Sequence, residues 1–350
     1  METSLHSFSV PGEMKQWLLR ERPEQRVETH HFELVTAPLP VPQEGQLLVQ
    51  VLYLGLAPVM LRYMRNETSF ERPLALGDVM HGRGVGRVIE SRHPDYQPGD
   101  IIQAKMGWRE YAMVDGNDPY FMIFRMHHTD LPLSHGISSL AMSGFTALIG
   151  MRDIGQVQSG SRVLVSGAAG GVGSQCAFIA KALGAQKVIG LAGGKYKCEQ
   201  LTKHMGYDAA IDYKGTNVEK ELDQYFPEGV DVYFDNVGGK LLDDVLARIR
   251  RRARIVICGR IAEYLLEPSQ YHAYRNIYRI GLQDAKMEAF FIYDFTENFT
   301  AYEATLAEWI RTGKLKPCEH ILNGIENMPR ALMHLYDGVN VGVMMVKVAE

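Results

Sequence analysis

Residues 162–173 read RVLVSGAAGGVG, a short apolar run that breaks into alanines and glycines. The run 162–166 suits a buried parallel strand. Beyond the turn Val172, Cys176, Ile179, Ala180 and Leu183 recur at the spacing of one helical face. Gly184 ends that helix, and residues 187–192 (KVIGLA) supply the next strand. In the turn Gly170 and Gly173 stand three apart, with Gly171 and Val172 between them and Ala168 where such turns usually carry their first glycine. Backbone N–H groups bare of side chains approach a phosphate closely, and a glycine at the helix start lets the helix pack tightly on the strand. The unit therefore reads as the floor of a dinucleotide pyrophosphate site; the other reading is an ordinary tight strand–helix turn.

A chain of 350 residues is long enough for about two domains. Its net charge of -4 gives no long-range field that would favour nucleic acid or an anionic membrane. No run of about 18 apolar residues suggests a spanning helix. The opening METSLHSFSV lacks a basic segment followed by an apolar core, so no signal peptide is expected. The four cysteines, Cys176, Cys198, Cys258 and Cys318, are widely spaced, as buried thiols of a reducing compartment would be, and the cytoplasm is expected.

Two textures divide the chain. Before residue 140, strand candidates at 32–37, 47–54, 84–90 and 101–114 are separated by turn signals such as Pro98-Gly99-Asp100. From there strands and helices alternate: a helix near 195–205, strands at 209–213 and 230–235, a helix at 240–249, strands at 255–258 and 287–293, and a helix at 298–311. This is the pattern of a doubly wound parallel sheet. The remainder returns to short strands, 343–348 among them, and is expected to rejoin the first domain.

The second strand of a site for NAD usually ends in an acid that binds the ribose hydroxyls. Residues 191–197 here read LAGGKYK, with no carboxylate and with Lys195 and Lys197 after Gly193 and Gly194. An added phosphate is repelled by a carboxylate and attracted by lysine, which favours NADP(H). Tyr213 ends the following strand, where it either borders the adenosine phosphate or is a half-exposed strand terminus.

The segments YLGLAP (53–58), GWREYAMV (107–114), AMSGFTA (141–147), DNVGG (235–239), ICGRIAEY (257–264) and DGVNVG (337–342) are similar to those of the zinc-independent medium-chain dehydrogenases/reductases. They most resemble the branch of prostaglandin reductases, leukotriene B4 dehydrogenases and alkenal double-bond reductases. The resemblance implies an α/β chain in which a GroES-like β-rich domain (1–140 and 315–350) encloses a Rossmann NADP-binding domain (141–314). It implies NADP(H) in the cleft and reduction of an α,β-unsaturated aldehyde or ketone. Carried over by position, the 170–173 turn holds the pyrophosphate, and Gly194 and Lys197 lie at the 2′-phosphate with Tyr213 beside it. Asn236, Cys258, Gly259 and Asn340 line the nicotinamide half, and Tyr264 sits near the substrate carbonyl.

Zinc is not expected. Residues 1–140 contain no cysteine, His81-Gly82-Arg83 lacks the neighbouring Glu of zinc alcohol dehydrogenases, and His127-His128 read as surface or hinge residues. Without a metal, conjugate addition is the easier hydride chemistry. It needs one neutral donor near the carbonyl oxygen, for which Tyr264 is the candidate. The chain departs from the branch at Val59, where a tyrosine is common, and at Ser143 and Val343, where a proline and a lysine are usual. Two alternatives stay open: a zinc-free NADPH quinone oxidoreductase, and a catalytically idle NADPH-binding interaction protein. Arg260 reads as a strand-end residue or a contact for a phosphate or carboxylate. The basic run 248–254 is expected at a helix C-terminus. The apolar stretch 287–293, with Phe290 and Phe291, suggests a homodimer edge.

Overall fold

In the computed structural model, which describes residues 11–24, 26–67, 71–264 and 266–350, six strands pair in parallel into one sheet. The chain divides into two units. One contains the described residues through Ile137 with Ile321–Gly338 and Met345–Glu350; the other contains Ser138–His320 and Val339–Met344.

The first unit is β-rich. Strands β1 (Glu13–Leu19) and β2 (Phe32–Pro38) form an antiparallel pair. Then come β3 (Gln46–Gly55), a short helix α1 (Met60–Met64), β4 (Arg83–Ser91), β5 (Ile101–Lys105), β6 (Tyr111–Asp115) and β7 (Phe124–Arg125). Strands β3, β4, β5 and β7 are successive antiparallel neighbours, and β6 pairs with residues 46–50 of β3. The single strand expected at 101–114 is thus two strands. A turn at Gly107 (φ +72°) parts them and buries Trp108 completely. Side chains tie the late segment of the chain into this unit: Trp17 Nε1 donates to the Ile325 carbonyl at 2.8 Å. The Tyr336 hydroxyl accepts from the Leu61 N–H at 2.8 Å and donates to the Pro58 carbonyl at 2.9 Å, which pins the divergent segment around Val59.

The second unit runs α2 (Met142–Ile149), β8 (Arg162–Val165), α3 (Gly173–Ala182), β9 (Lys187–Ala192), α4 (Lys195–His204), β10 (Ala209–Asp212), α5 (Val218–Tyr225), β11 (Val230–Asp235), α6 (Gly239–Leu246), β12 (Ile249–Ile257), α7 (Arg279–Leu282), β13 (Lys286–Ala289) and α8 (Phe299–Arg311). The sheet order is β10-β9-β8-β11-β12-β13, all parallel, which is the doubly wound order with its reversal between β8 and β11. Helices cover both faces, so the central strands are continuous apolar runs: Val163, Leu164, Val188, Ile189, Tyr233 and Phe234 are fully buried. The chain ends with β14 (Glu319–Asn323), α9 (Met328–Tyr336) and β15 (Val343–Lys347), the last pairing with β3.

Two further expectations are corrected. β12 begins at Ile249, so the arginines after Arg248 lie in a strand rather than at a helix end. β13 covers only Lys286–Ala289, with every residue exposed, and Phe290 and Phe291 follow it. His127 and His128 lie in a loop with His127 exposed, in keeping with surface or hinge residues.

The start of α3 shows why the turn carries glycine there. A Cβ on Gly173 would stand 2.4 Å from the Gly167 carbonyl oxygen and 2.7 Å from Ala168 Cα, both backbone atoms that cannot move aside. Gly173→Ala is expected to destabilise the protein by about 1–3 kcal/mol, read as a lower denaturant midpoint with an unchanged slope. An unaltered midpoint would show that the turn relaxes freely.

Candidate nucleotide site

At the reversal point, Asp235 ends β11 with no exposed surface. Its Oδ1 accepts from the Ser166 hydroxyl at 2.7 Å and the Tyr233 hydroxyl at 2.8 Å. The Val237 and Gly238 N–H groups also donate to it, at 3.0 and 3.1 Å. Burial pushes the carboxyl upward, and these donors oppose that shift. Ser166 is the first residue past β8, so the network laces the C-terminal ends of β8 and β11 together. Asn236 completes it: its N–H donates to the Ser166 hydroxyl at 2.9 Å and its side-chain amide to the Ser166 carbonyl at 2.7 Å.

The next strand end is tied in through backbone. Cys258 and Gly259 donate their N–H groups to the Asp235 carbonyl at 2.8 and 3.1 Å. A Cβ on Gly259 would come within 3.1 Å of the Asn236 carbonyl, so the two loops touch through backbone alone. The Cys258 thiol is pushed up to about 12, first by burial and then by Asp235. It is therefore a neutral lining group. Ile261 and Ala262 donate to the Asn236 and Val237 carbonyls at 3.4 and 3.1 Å, and this short turn ends at half-buried Tyr264. Arg260 pairs with Glu263 at 3.4 Å and lies over the Tyr271 ring at 5.3 Å, so its charge is satisfied within its own loop.

The glycines of the 166–173 turn divide by role. Gly173 answers to protein packing. Gly171 does not, since a Cβ there would meet only ordinary contacts at 3.6 Å, with Ser143 Oγ and Val343 Cγ2. The Gly171 and Val172 N–H groups have no backbone acceptor among the described residues. Two amides at the start of a ten-residue helix, one of them bare of side chain, fit an anionic pyrophosphate. The Gly342 N–H donates to the Ala169 carbonyl at 2.8 Å, which brings the loop of buried Asn340 to this turn. The Asn340 side-chain amide donates to the Gly342 carbonyl at 3.1 Å, so it braces that loop.

A second cluster forms where β9 and β10 end. Gly194 caps α4 with φ +96° and ψ 147°, a conformation open essentially to glycine only. Although residues 191–197 carry no acid, Asp212 of the next strand reaches the turn. It accepts from the Gly194 N–H at 2.8 Å and the Lys214 N–H at 3.0 Å, and these bonds hold its carboxyl below the usual range. Sequence reading missed this residue because it lies 18 positions from its partner. A Cβ on Gly193 would stand 2.8 Å from the Tyr213 hydroxyl oxygen and 3.0 Å from Lys214 Cε, so both side chains fold over the glycine pair. The Lys197 ammonium is pushed down by burial and by Lys214. Neither lysine has an ion-pair partner among the described residues. Lys214 also acts on the Asp212 carboxylate, so the turn carries two lysines against one acid, an excess of positive charge that suits a phosphate.

The family follows from comparison with known proteins. Residues 15–121 match a family described as the N-terminal domain of oxidoreductase, and residues 171–309 one described as zinc-binding dehydrogenase. The NADPH-dependent curcumin reductase of Escherichia coli (strain K12) is 34% identical over 346 residues, 97% of this chain and 99% of that one. The 2-alkenal reductase (NADP(+)-dependent) of Nicotiana tabacum is 36% identical over 319 residues, 90% and 91% of the two chains. The crystal structure of CurA in complex with NADPH from Vibrio vulnificus matches with a TM-score of 0.87 at 32% identity, over 96% of this chain and 99% of that one. The chain belongs to the medium-chain dehydrogenase/reductase family. Zinc, named in one family description, finds no donor set: among the described residues no three His, Cys, Asp or Glu side chains cluster to hold a metal ion. Among them, too, no helix is long and apolar enough to cross a membrane.

Removing the central acceptor tests the lacing. Asp235→Ala leaves two hydroxyls and two N–H groups without their partner, and is expected to cost about 3 kcal/mol or more in denaturant unfolding. A loss below about 0.5 kcal/mol would show that the strand ends hold without it.

Proposed function

We propose that this chain catalyses NADPH-dependent reduction of the C=C bond of α,β-unsaturated aldehydes or ketones, with hydride delivered to the β carbon and no metal taking part. The relatives named as a curcumin reductase and a 2-alkenal reductase, both NADP-dependent, support the reaction class. The observation that carries the cofactor choice is Lys214 folded over Gly193, with the charge of Lys197 close enough to be felt by it.

In this reading the Gly170–Gly173 turn receives the pyrophosphate on the Gly171 and Val172 amides. Gly194 opens the second turn, Lys197 and Lys214 bind the 2′-phosphate, and Tyr213 borders it. Asn236, Cys258, Gly259 and Asn340 shape the nicotinamide half, where the protonated Cys258 thiol adds no charge. The bound cofactor supplies the hydride. Tyr264 donates a hydrogen bond from its phenol to the carbonyl oxygen as negative charge collects there, and the α carbon then takes a proton.

We also infer a homodimer built on β13. It is an edge strand with every residue exposed, Met287 among them, and exposed Phe291 follows it; a bare edge of this kind is a template for pairing. The four cysteines are free thiols, which suits a cytoplasmic setting.

Replacing both lysines (K197A/K214A) is expected to weaken NADPH binding at least tenfold in a fluorescence titration, about 1.4 kcal/mol, while NADH binding is unchanged. Equal losses for both cofactors would contradict the subsite. Tyr264→Phe is expected to lower kcat for a simple enone about tenfold or more, with the KM for NADPH unchanged. An unchanged kcat removes Tyr264 from the mechanism. Light scattering at micromolar concentration is expected to give twice the chain mass of 39.4 kDa; a monomer would contradict the β13 edge as an interface.

A further inference from the structure

The arginine run 250–254 takes no part in the nucleotide site. It lies at the N-terminal ends of the strands, opposite the glycine turn, beside a cavity of about 460 Å³. One wall is the segment that leads into β8; the other is the start of β11 and β12. The strand register explains why arginines face it. Val230 pairs with Ile249 and Val232 with Arg254, so two steps along β11 are matched by five along β12. The surplus residues bulge from the sheet, and a bulge redirects side chains out of the ladder.

The charges around this cavity do not balance. Asp231 is the only carboxylate in its lining, and it already serves Arg250 at 2.9 Å and Arg162 at 3.1 Å. The Arg254 guanidinium donates to the neutral Gln156 amide oxygen. Arg251 is exposed, lines the cavity, and has no partner among the described residues. Backbone strain gathers here too. Gln156 (φ +48°) and Arg252 (φ +62°) both line the cavity, and Asp284 (φ +50°) is the ion-pair partner of Arg252 at 3.5 Å. Non-glycine residues in this conformation are held by their surroundings, and such residues cluster where ligands are gripped.

We propose that this cavity is a second anion site, separate from the dinucleotide site, that takes a compact polyphosphate chain of two or three linked phosphoryl groups. Guanidinium forks meet phosphate oxygens two at a time, and the volume lies within the ordinary range for small-ligand pockets. The lining holds no aromatic ring, and Val232 is its only apolar side chain beyond glycine. A nucleobase would find no stacking surface, which favours a bare phosphate chain over a nucleic acid.

The test is calorimetric titration of the full chain with tripolyphosphate, pyrophosphate and orthophosphate, each with and without saturating NADPH. One saturable site is expected, at least tenfold tighter for tripolyphosphate than for orthophosphate, weakened by salt and unaffected by NADPH. The R251A/R254A variant is expected to lose at least tenfold in tripolyphosphate affinity while its circular dichroism and NADPH titration stay as in the parent. The R251K/R254K variant, which keeps the charge but loses the fork, should fall between them. Absent saturation at millimolar tripolyphosphate, equal binding by R251A/R254A, or displacement by NADPH would each overturn the proposal. So would tighter binding of a single-stranded oligonucleotide than of tripolyphosphate.

Discussion

The buried carboxylate of Asp235 joins the two strands between which the sheet reverses its order. Taking a carboxylate out of water costs several kcal/mol, and that cost is offset only if its oxygens are fully engaged. Ser166, Tyr233, Val237 and Gly238 engage them, and all four come from the ends of β8 and β11 or the loop that follows. The backbone carbonyl of Asp235 then receives Cys258 and Gly259 from β12. Three strand ends are therefore fixed relative to one another by one residue, and the glycine turn starts from that fixed point.

The rest of the nucleotide site is electrostatic rather than steric. Asp212 is held by backbone N–H groups of the second turn and by the charge of Lys214, so it shapes the cradle and offsets part of the positive charge there. Lys197 and Lys214 are left to repel one another until an anion arrives. The same contrast recurs at the other end of the strands, where Asp231 is saturated by two arginines and Arg251 is left over. In both places a carboxylate is used for architecture, and the excess positive charge faces open space.

Local patterns were legible from the sequence. The strands 187–192 and 230–235 coincide with β9 and β11, because strands buried on both faces are plain apolar runs. The start of β12 was hidden, since its arginines bulge outward and present no apolar pattern. Helices α5 and α9 carry no such signal: α5 is mostly polar, α9 is a short apolar stretch with a proline in its first turn, and neither follows a motif. At the site, the glycine turn and the DNVGG segment announced themselves as short motifs. The approach of Asp212 to Gly194 and the folding of Lys214 over Gly193 did not, because each depends on how neighbouring parallel strands align.

The most direct measurement of the account is the fate of the transferred hydride. With NADPH carrying deuterium at both hydrogens of nicotinamide C4 and a simple acyclic enone, the account predicts one deuterium at the β carbon of a saturated ketone, read by NMR. Deuterium at the former carbonyl carbon of an allylic alcohol, or oxidation of NADPH with no deuterium in the product, would contradict it.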